Sequence, residues 1–221
     1  MMVARKQGFI MLCFFLFLMA SCGSTRYETY REPRTAVASW YGPEFNGKPT
    51  ASGERFDMNS LTCAHRELPF GTILKVTNLS REQSVICIIN DRGPFVSGRD
   101  LDLSYAAAKE IGLIGAGTGT VMVQYVGRDL RYVKEVRYVA SSGPYTIQVG
   151  SFHERDNAMR LKAGLDLKYR AVYVSETTID ETTYYRVRVG TFSSKEEAFS
   201  VARNLAEEGY SPLIMHRDDN V

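Results

Sequence analysis

From Thr35 onward, short apolar runs alternate with polar turns. Ala36 to Tyr41, Thr72 to Asn78, Ser84 to Asn90 and Thr120 to Val126 alternate or run apolar, the pattern of β-strands. Leu-Ser-Arg-Glu-Gln joins the second and third into a hairpin, and a loop rich in Gly, Pro, Asn and Ser fills residues 42–53. Ser104 is placed to N-cap a short helix, Tyr105 to Ile111, which Gly112 ends. Many short strands and one helix predict a small closed β-barrel, the arrangement that removes sheet edges.

The pattern changes after residue 128. Residues 129–143 carry mixed charges and then Ala-Ser-Ser-Gly-Pro, a linker. Its β formers Tyr132, Val133, Val136, Tyr138 and Val139 also suit a last strand of the first domain. Beyond it lies an internal repeat: "YTIQVGSFHERDNAMRLKAGL" from Tyr145 aligns without a gap to "YRVRVGTFSSKEEAFSVARNL" from Tyr185. Each copy reads as strand, glycine turn and amphipathic helix, followed by a strand at Ala171 to Ser175 or Pro212 to His216. Two such copies predict a split β-α-β fold, a four-stranded sheet with both helices on one face. Strand parity turns Ile147, Val149, Val187 and Val189 to the helices and Thr146, Gln148, Arg186 and Arg188 to the open face. Such a face suits a polar ligand or plain solvent.

Charge and cysteine usage add a compartment. The chain has 27 Lys and Arg against 25 Asp and Glu. Arg5 and Lys6 precede the apolar run Gly8 to Met19, which is too short to span a bilayer and reads as a signal peptide over residues 1–21. Without that acid-free leader the chain is formally neutral, which argues against nucleic-acid binding driven by bulk charge. Met19-Ala20-Ser21-Cys22 resembles a bacterial lipobox, with Met where Leu is usual. The resemblance implies a lipid on Cys22, a membrane anchor outside the cytoplasm and a polar tether over residues 22–34. Gly23 favours the outer membrane in a two-membrane cell. Cys63 and Cys87 remain for the folded part, as one disulfide or as two buried hydrophobes. No Cys and His spacing fits a metal, and no cofactor is expected.

"NDRGPF", residues 90–95, follows the apolar run Ser84 to Ile89. It reads as a turn that stops a strand, or as a rigid strand end holding the Asp91 carboxyl for proton chemistry. Glu54, Asp57 and His65 stand in the loop and strand before it. The stretches "ASWYGPEFNGKPTASGERFDM", "TCAHRELPFGTILKVTNL", "INDRGPF" and "GRDLDLSYAAAKEIGL" resemble the RlpA (rare lipoprotein A) family, and "YTIQVGSF" and "YYRVRVGTF" resemble a SPOR domain. The resemblance covers nearly all of the chain beyond the signal, in the family's order. It implies a double-psi β-barrel over residues 35–128, the linker over 129–143 and an α+β SPOR domain over 144–217. Ile88, where the family often has Arg, and Cys63, where a small apolar residue is usual, depart from the pattern. By simple alternation Ile88 lies off the Asp91 face, Cys63 shares parity with His65, and Cys87 shares parity with Asp91.

The implied activity is that of a lytic transglycosylase, which cuts the MurNAc-β-1,4-GlcNAc bond of peptidoglycan and leaves a 1,6-anhydro end. One carboxyl serves as acid and then base, unlike the paired carboxylates of glycoside hydrolases. Asp91 takes that role, with its pKa raised by burial or by a nearby carboxylate; Glu54 is that second carboxylate, raising the pKa or steadying positive charge on the sugar. His65 orients a carboxylate, and Asp57 belongs to the same motif. Phe45, Trp40 and Tyr41 line a sugar-stacking surface or, for Trp40 and Tyr41, the barrel core. Gln148, Ser151, Arg186 and Arg188 would bind glycan stripped of stem peptides. The implied partners are peptidoglycan, a membrane through Cys22, and division proteins at the septum. The alternatives are a scaffold that grips glycan without cutting it and a hydrolase that leaves reducing ends.

Overall fold

The computed structural model describes residues 32–140 and 142–218. The expected signal peptide, the expected lipid site Cys22 and most of the expected tether lie outside the described residues. Six strands close the barrel: β1 (Arg34–Trp40), β2 (Thr62–His65), β3 (Thr72–Asn78), β4 (Ser84–Asp91), β5 (Leu101–Leu103) and β6 (Thr118–Arg128), in the order β1-β5-β2-β4-β3-β6. β1 pairs with β5, and β2 with β4, in parallel; the other pairs are antiparallel. The core is built by alternation. Leu74 and Val76 of β3, Val85, Cys87 and Ile89 of β4, and Val121 and Val123 of β6 are buried. Cys63 and Cys87 form a disulfide with Cα atoms 6.0 Å apart, both fully buried. Helix α1 (Tyr105–Glu110) starts as expected, with Ser104 Oγ accepting from Ala107 N.

The second unit has one strand more than the repeat predicts. β7 (Arg137–Tyr138), inside the expected linker, pairs in parallel with β11 (Leu213–His216) and so joins the second sheet, not the barrel. The sheet runs β7-β11-β8-β10-β9, with β8 (Tyr145–Phe152), β9 (Val172–Ile179) and β10 (Thr182–Phe192). Helices α2 (Arg155–Asp166) and α3 (Lys195–Glu207) pack on the face that buries Ile147 and Val187. The opposite face carries the predicted polar set, because Arg186 pairs with Ser151, and Arg188 with Gln148 and Tyr173. It is less open than expected. Thr146, Arg186 and Arg188 are buried: the Thr146 hydroxyl bonds the Gly190 carbonyl, and Arg188 Nη1 donates to the Arg217 carbonyl.

The two units share an interface at the C-terminal ends of α2 and α3. Phe70 N donates to the Glu208 carbonyl (3.0 Å), Lys134 N to the Ala206 carbonyl (3.0 Å) and Lys168 Nζ to the Glu67 carbonyl (2.6 Å). Phe70 and Tyr210 meet edge to face at 4.9 Å, joining the two cores. Gly164 of α2 lies against Arg92, and a Cβ there would sit 2.9 Å from its Cδ. Among the described residues no helix is long and apolar enough to cross a membrane.

Candidate active site

A β-bulge aims Asp91. Along the parallel β2–β4 pair Cys63 faces Ile89, but Ala64 faces Asp91, so Asn90 is the extra residue. The bulge turns Asp91 to the side opposite Ile89 and the disulfide. Simple alternation is therefore corrected in two places: Asp91 does not share the Cys87 face, and Ile88 lies on the Asp91 side of the strand. The Asp91 carboxyl is gripped at one oxygen, since Oδ1 accepts from Ala51 N (2.8 Å) and Arg92 N (2.8 Å). Oδ2 has no hydrogen-bond partner among the described residues. Asp91 keeps a partly exposed surface. Burial nevertheless raises its pKa, against the lowering effects of the two N–H donors, Arg160 and Arg92.

Glu54 does not supply that rise. It is exposed at the lip of the recess, where Oε2 accepts from Asn90 Nδ2 (2.9 Å) and from the Tyr132 hydroxyl (3.0 Å). It thus braces the bulge residue next to Asp91. Tyr132 reaches it because the chain after β6 crosses close above Gly71. Gly71 has φ +81°, and a Cβ there would lie 2.6 Å from the Asp129 carbonyl.

His65 and Asp57 are placed differently from the expectation. His65 is buried at the end of β2, and its Nδ1 accepts from Glu67 N and Leu68 N, both at 3.0 Å. Nδ1 is therefore committed to a turn rather than to a carboxylate, which fixes the neutral ring with its proton on Nε2. Burial first, then the Arg92 and Arg66 charges, push its pKa down to about 3. Asp57 is exposed and closes a turn of its own: Oδ1 accepts from Asn59 N (2.9 Å) and Oδ2 from Ser60 Oγ (2.7 Å). Those bonds hold its carboxyl below the usual range.

Other residues complete the recess. Asp102 of β5 pairs with Ala64, accepts a hydrogen bond from Ser39 Oγ and one from Arg99 Nη2 (3.3 Å), and is pushed up by burial. Asp91 and Asp102 both act on the buried Tyr41 hydroxyl, raising its pKa after burial itself. Thr62 lies close enough to oppose that rise, yet neither hydroxyl has a well-aligned hydrogen bond. Tyr41 stacks on Phe56 at 4.3 Å and meets Phe45 at 6.1 Å. Phe45 is partly exposed and carries the Arg160 guanidinium at 5.6 Å, whereas Trp40 packs against the core and Tyr105. Parity with Ala64 was the available signal for Asp102, hidden because β2 and β5 have only four and three residues.

Arg92 takes the opposite direction from Asp91 and is buried. Its Nε donates to the Tyr210 hydroxyl (2.7 Å), and its Nη1 to the carbonyls of Leu68 (2.8 Å) and His65 (3.3 Å). The guanidinium lies 3.8 Å from the Phe70 ring centroid. Among the described residues no group of three or more His, Cys, Asp and Glu is arranged to hold a metal ion.

Comparison with known proteins gives this geometry a family. Residues 34–125 match a lytic transglycolase domain, and residues 141–215 a SPOR domain. The chain is 34% identical over 210 residues to the endolytic peptidoglycan transglycosylase RlpA of Campylobacter jejuni, covering 85% of this chain and 75% of that one. It is 35% identical over 193 residues to the same-named protein of Vibrio cholerae, covering 86% and 72%. A probable member from Synechocystis is 55% identical over 98 residues, but this chain spans only 30% of its length. The chain belongs to the RlpA family of peptidoglycan transglycosylases, with the double-psi β-barrel and the SPOR domain in that order.

Proposed function

We propose that this chain is a lytic transglycosylase that cleaves MurNAc-β-1,4-GlcNAc bonds in peptidoglycan glycan strands, preferably strands lacking stem peptides, leaving 1,6-anhydroMurNAc ends. The observation that carries this is the asymmetric grip on Asp91. Two backbone donors hold Oδ1, while Oδ2 has no hydrogen-bond partner among the described residues and burial raises the pKa of the carboxyl. Protonated Oδ2 gives its proton to the glycosidic oxygen as that bond breaks. The same carboxylate then takes the proton of the MurNAc C6 hydroxyl as that oxygen closes on C1. The proton count balances without water, so one carboxyl suffices.

Glu54, bonded to Asn90, steadies the bulge and presents negative charge at the lip, where positive charge develops on the sugar. His65 serves as a positioning residue through the turn that supplies the Leu68 carbonyl to Arg92. Asp57 shapes the turn over residues 57–60 that leads into β2. Phe45 offers a ring face to a sugar. On the SPOR face, Gln148, Ser151, Arg186 and Arg188 bind peptide-free glycan and hold the enzyme at the division septum. The family and the SPOR domain support a cell-envelope location, and the lipobox supports a lipid on Cys22.

The test is digestion of purified peptide-free glycan by residues 23–221 beside the Asp91→Asn variant, with products read by mass spectrometry. Release of 1,6-anhydro products by the wild type and their loss in the variant is the expected result. Reducing ends would mean a hydrolase. Absence of product with retained pelleting on glycan would mean a binding protein.

A further inference from the structure

The docked arrangement of the domains leaves a cleft of about 290 Å³ between them, comparable to a small ligand site. Its barrel wall includes Ala51 and Ser52, and its SPOR wall includes Arg137, Gln148, Ser151 and Ser211. The barrel wall adjoins the catalytic carboxyl, which does not itself line the cleft: Ala51 N holds Asp91 Oδ1, and Ser52 N donates to the Asn90 carbonyl (3.3 Å). The SPOR wall belongs to the sheet face opposite the helices, because Ser151 pairs with Arg186 and Gln148 with Arg188. A barrel surface one hydrogen bond away from Asp91 and a strip of the SPOR face are therefore walls of one opening.

We propose that this cleft is a glycan subsite shared by the two domains, so that one peptide-free strand lies on the SPOR face and enters the Asp91 recess at the same time. Two observations point to a ligand of this chemistry. Gln148 Oε1 is buried without a hydrogen-bond partner among the described residues. Arg186, which pairs with Ser151 of this wall but does not itself line the cleft, is 4% exposed, and its Nε and Nη1 also lack partners among the described residues. Buried polar groups left unpaired are costly, and a ligand rich in hydroxyls and amides satisfies both donors and acceptors. Arg137 adds a cation to the same wall. Removing the stem peptide frees the lactyl carboxylate of MurNAc, which an arginine pairs with and which an amide-linked strand lacks. The clamp between Arg92 and Tyr210 fixes the spacing of the walls, since Arg92 directly follows Asp91. The SPOR domain is then part of the substrate groove as well as a tether.

This proposal rests on the glycan-cutting reading, and the two fail differently. The full chain in detergent, carrying Asp91→Asn to stop turnover, is titrated with a peptide-free GlcNAc–MurNAc tetrasaccharide by calorimetry. A shared cleft binds one fragment per chain, and Ser52→Trp on the barrel wall and Ser211→Trp on the SPOR wall each weaken binding by about tenfold or more. Two fragments per chain, an unchanged affinity in Ser52→Trp, or no binding would overturn it. The stoichiometry needs no cleft variant, so it decides even if a Trp variant misfolds. Two fragments per chain beside 1,6-anhydro product from the wild type sinks only the shared cleft. One fragment per chain with no such product sinks only the enzymatic reading.

Discussion

Acidification should reach this protein first through His65. Its Nδ1 accepts two backbone N–H groups at 3.0 Å, so a proton there breaks both bonds and strands a charge among Arg92, Arg66 and Lys168. The folded ring takes a proton only near pH 3, against 6.5 for a free side chain. Between those values the unfolded state binds the extra proton, so the stability that His65 contributes is full above pH 6.5 and falls as pH drops towards 3. Each pH unit in that window is worth about 1.4 kcal/mol, which makes the loss between pH 7 and 4.5 about 2 to 3 kcal/mol. Urea unfolding followed by the fluorescence of Trp40, the only Trp and a barrel residue, measures it at both pH values. His65→Asn keeps an acceptor oxygen near the place of Nδ1 and does not titrate. Its pH-dependent loss should be smaller than that of the wild type by that amount. Equal losses in the two proteins, or a His65 ring that titrates near pH 6.5 by nitrogen NMR, would refute the reasoning.

Three other outcomes are expected. Asp91→Asn should abolish glycan cleavage yet raise the melting temperature at neutral pH. Burial raises the folded pKa of Asp91, so its ionisation opposes folding as pH rises above 3.8. The gain should vanish near pH 3, and a lower melting temperature at pH 7 would contradict the account. Tyr210→Phe removes the 2.7 Å acceptor of the buried Arg92 guanidinium. It should lower stability by about 1.5 to 3 kcal/mol and speed amide exchange at Phe70 and Lys134, whereas unchanged exchange there would mean the clamp does not hold the domains. Replacing both Cys63 and Cys87 by Ala opens a loop of 24 residues, which should cost about 3 kcal/mol in urea unfolding; a loss below about 1 kcal/mol would count against a stabilising bridge.

Local periodicity revealed much of the fold. Strand β3 buries every second residue over its seven positions, β4 does so from Val85 to Ile89, and β6 alternates around the buried Val121 and Val123, a signal that survives without neighbours. Helix α1 announces itself through the Ser104 cap, and the repeat gives β8, α2, β10 and α3. The motif "NDRGPF" marked Asp91 as a strand-end carboxyl. The short β2 and β5 were not legible, because three or four residues hold too little alternation to stand out from a loop. β7 reads as a strand in sequence, but only pairing with β11 assigns it to the second sheet.

Side-chain period and capping alone mark the longer strands and the helices, the internal repeat after a β-rich unit, and an acidic and basic pair at the end of β4. Both signals act within a few residues. Tertiary structure decided what the pair does. The Asn90 bulge appears only when β2 sets the register of β4, and it sends Asp91 into the recess. Arg92 goes the other way to meet Tyr210, 118 residues further on. Burial, which raises Asp91 and keeps His65 neutral, is likewise a property of the closed barrel, because desolvation depends on atoms that distant segments bring together.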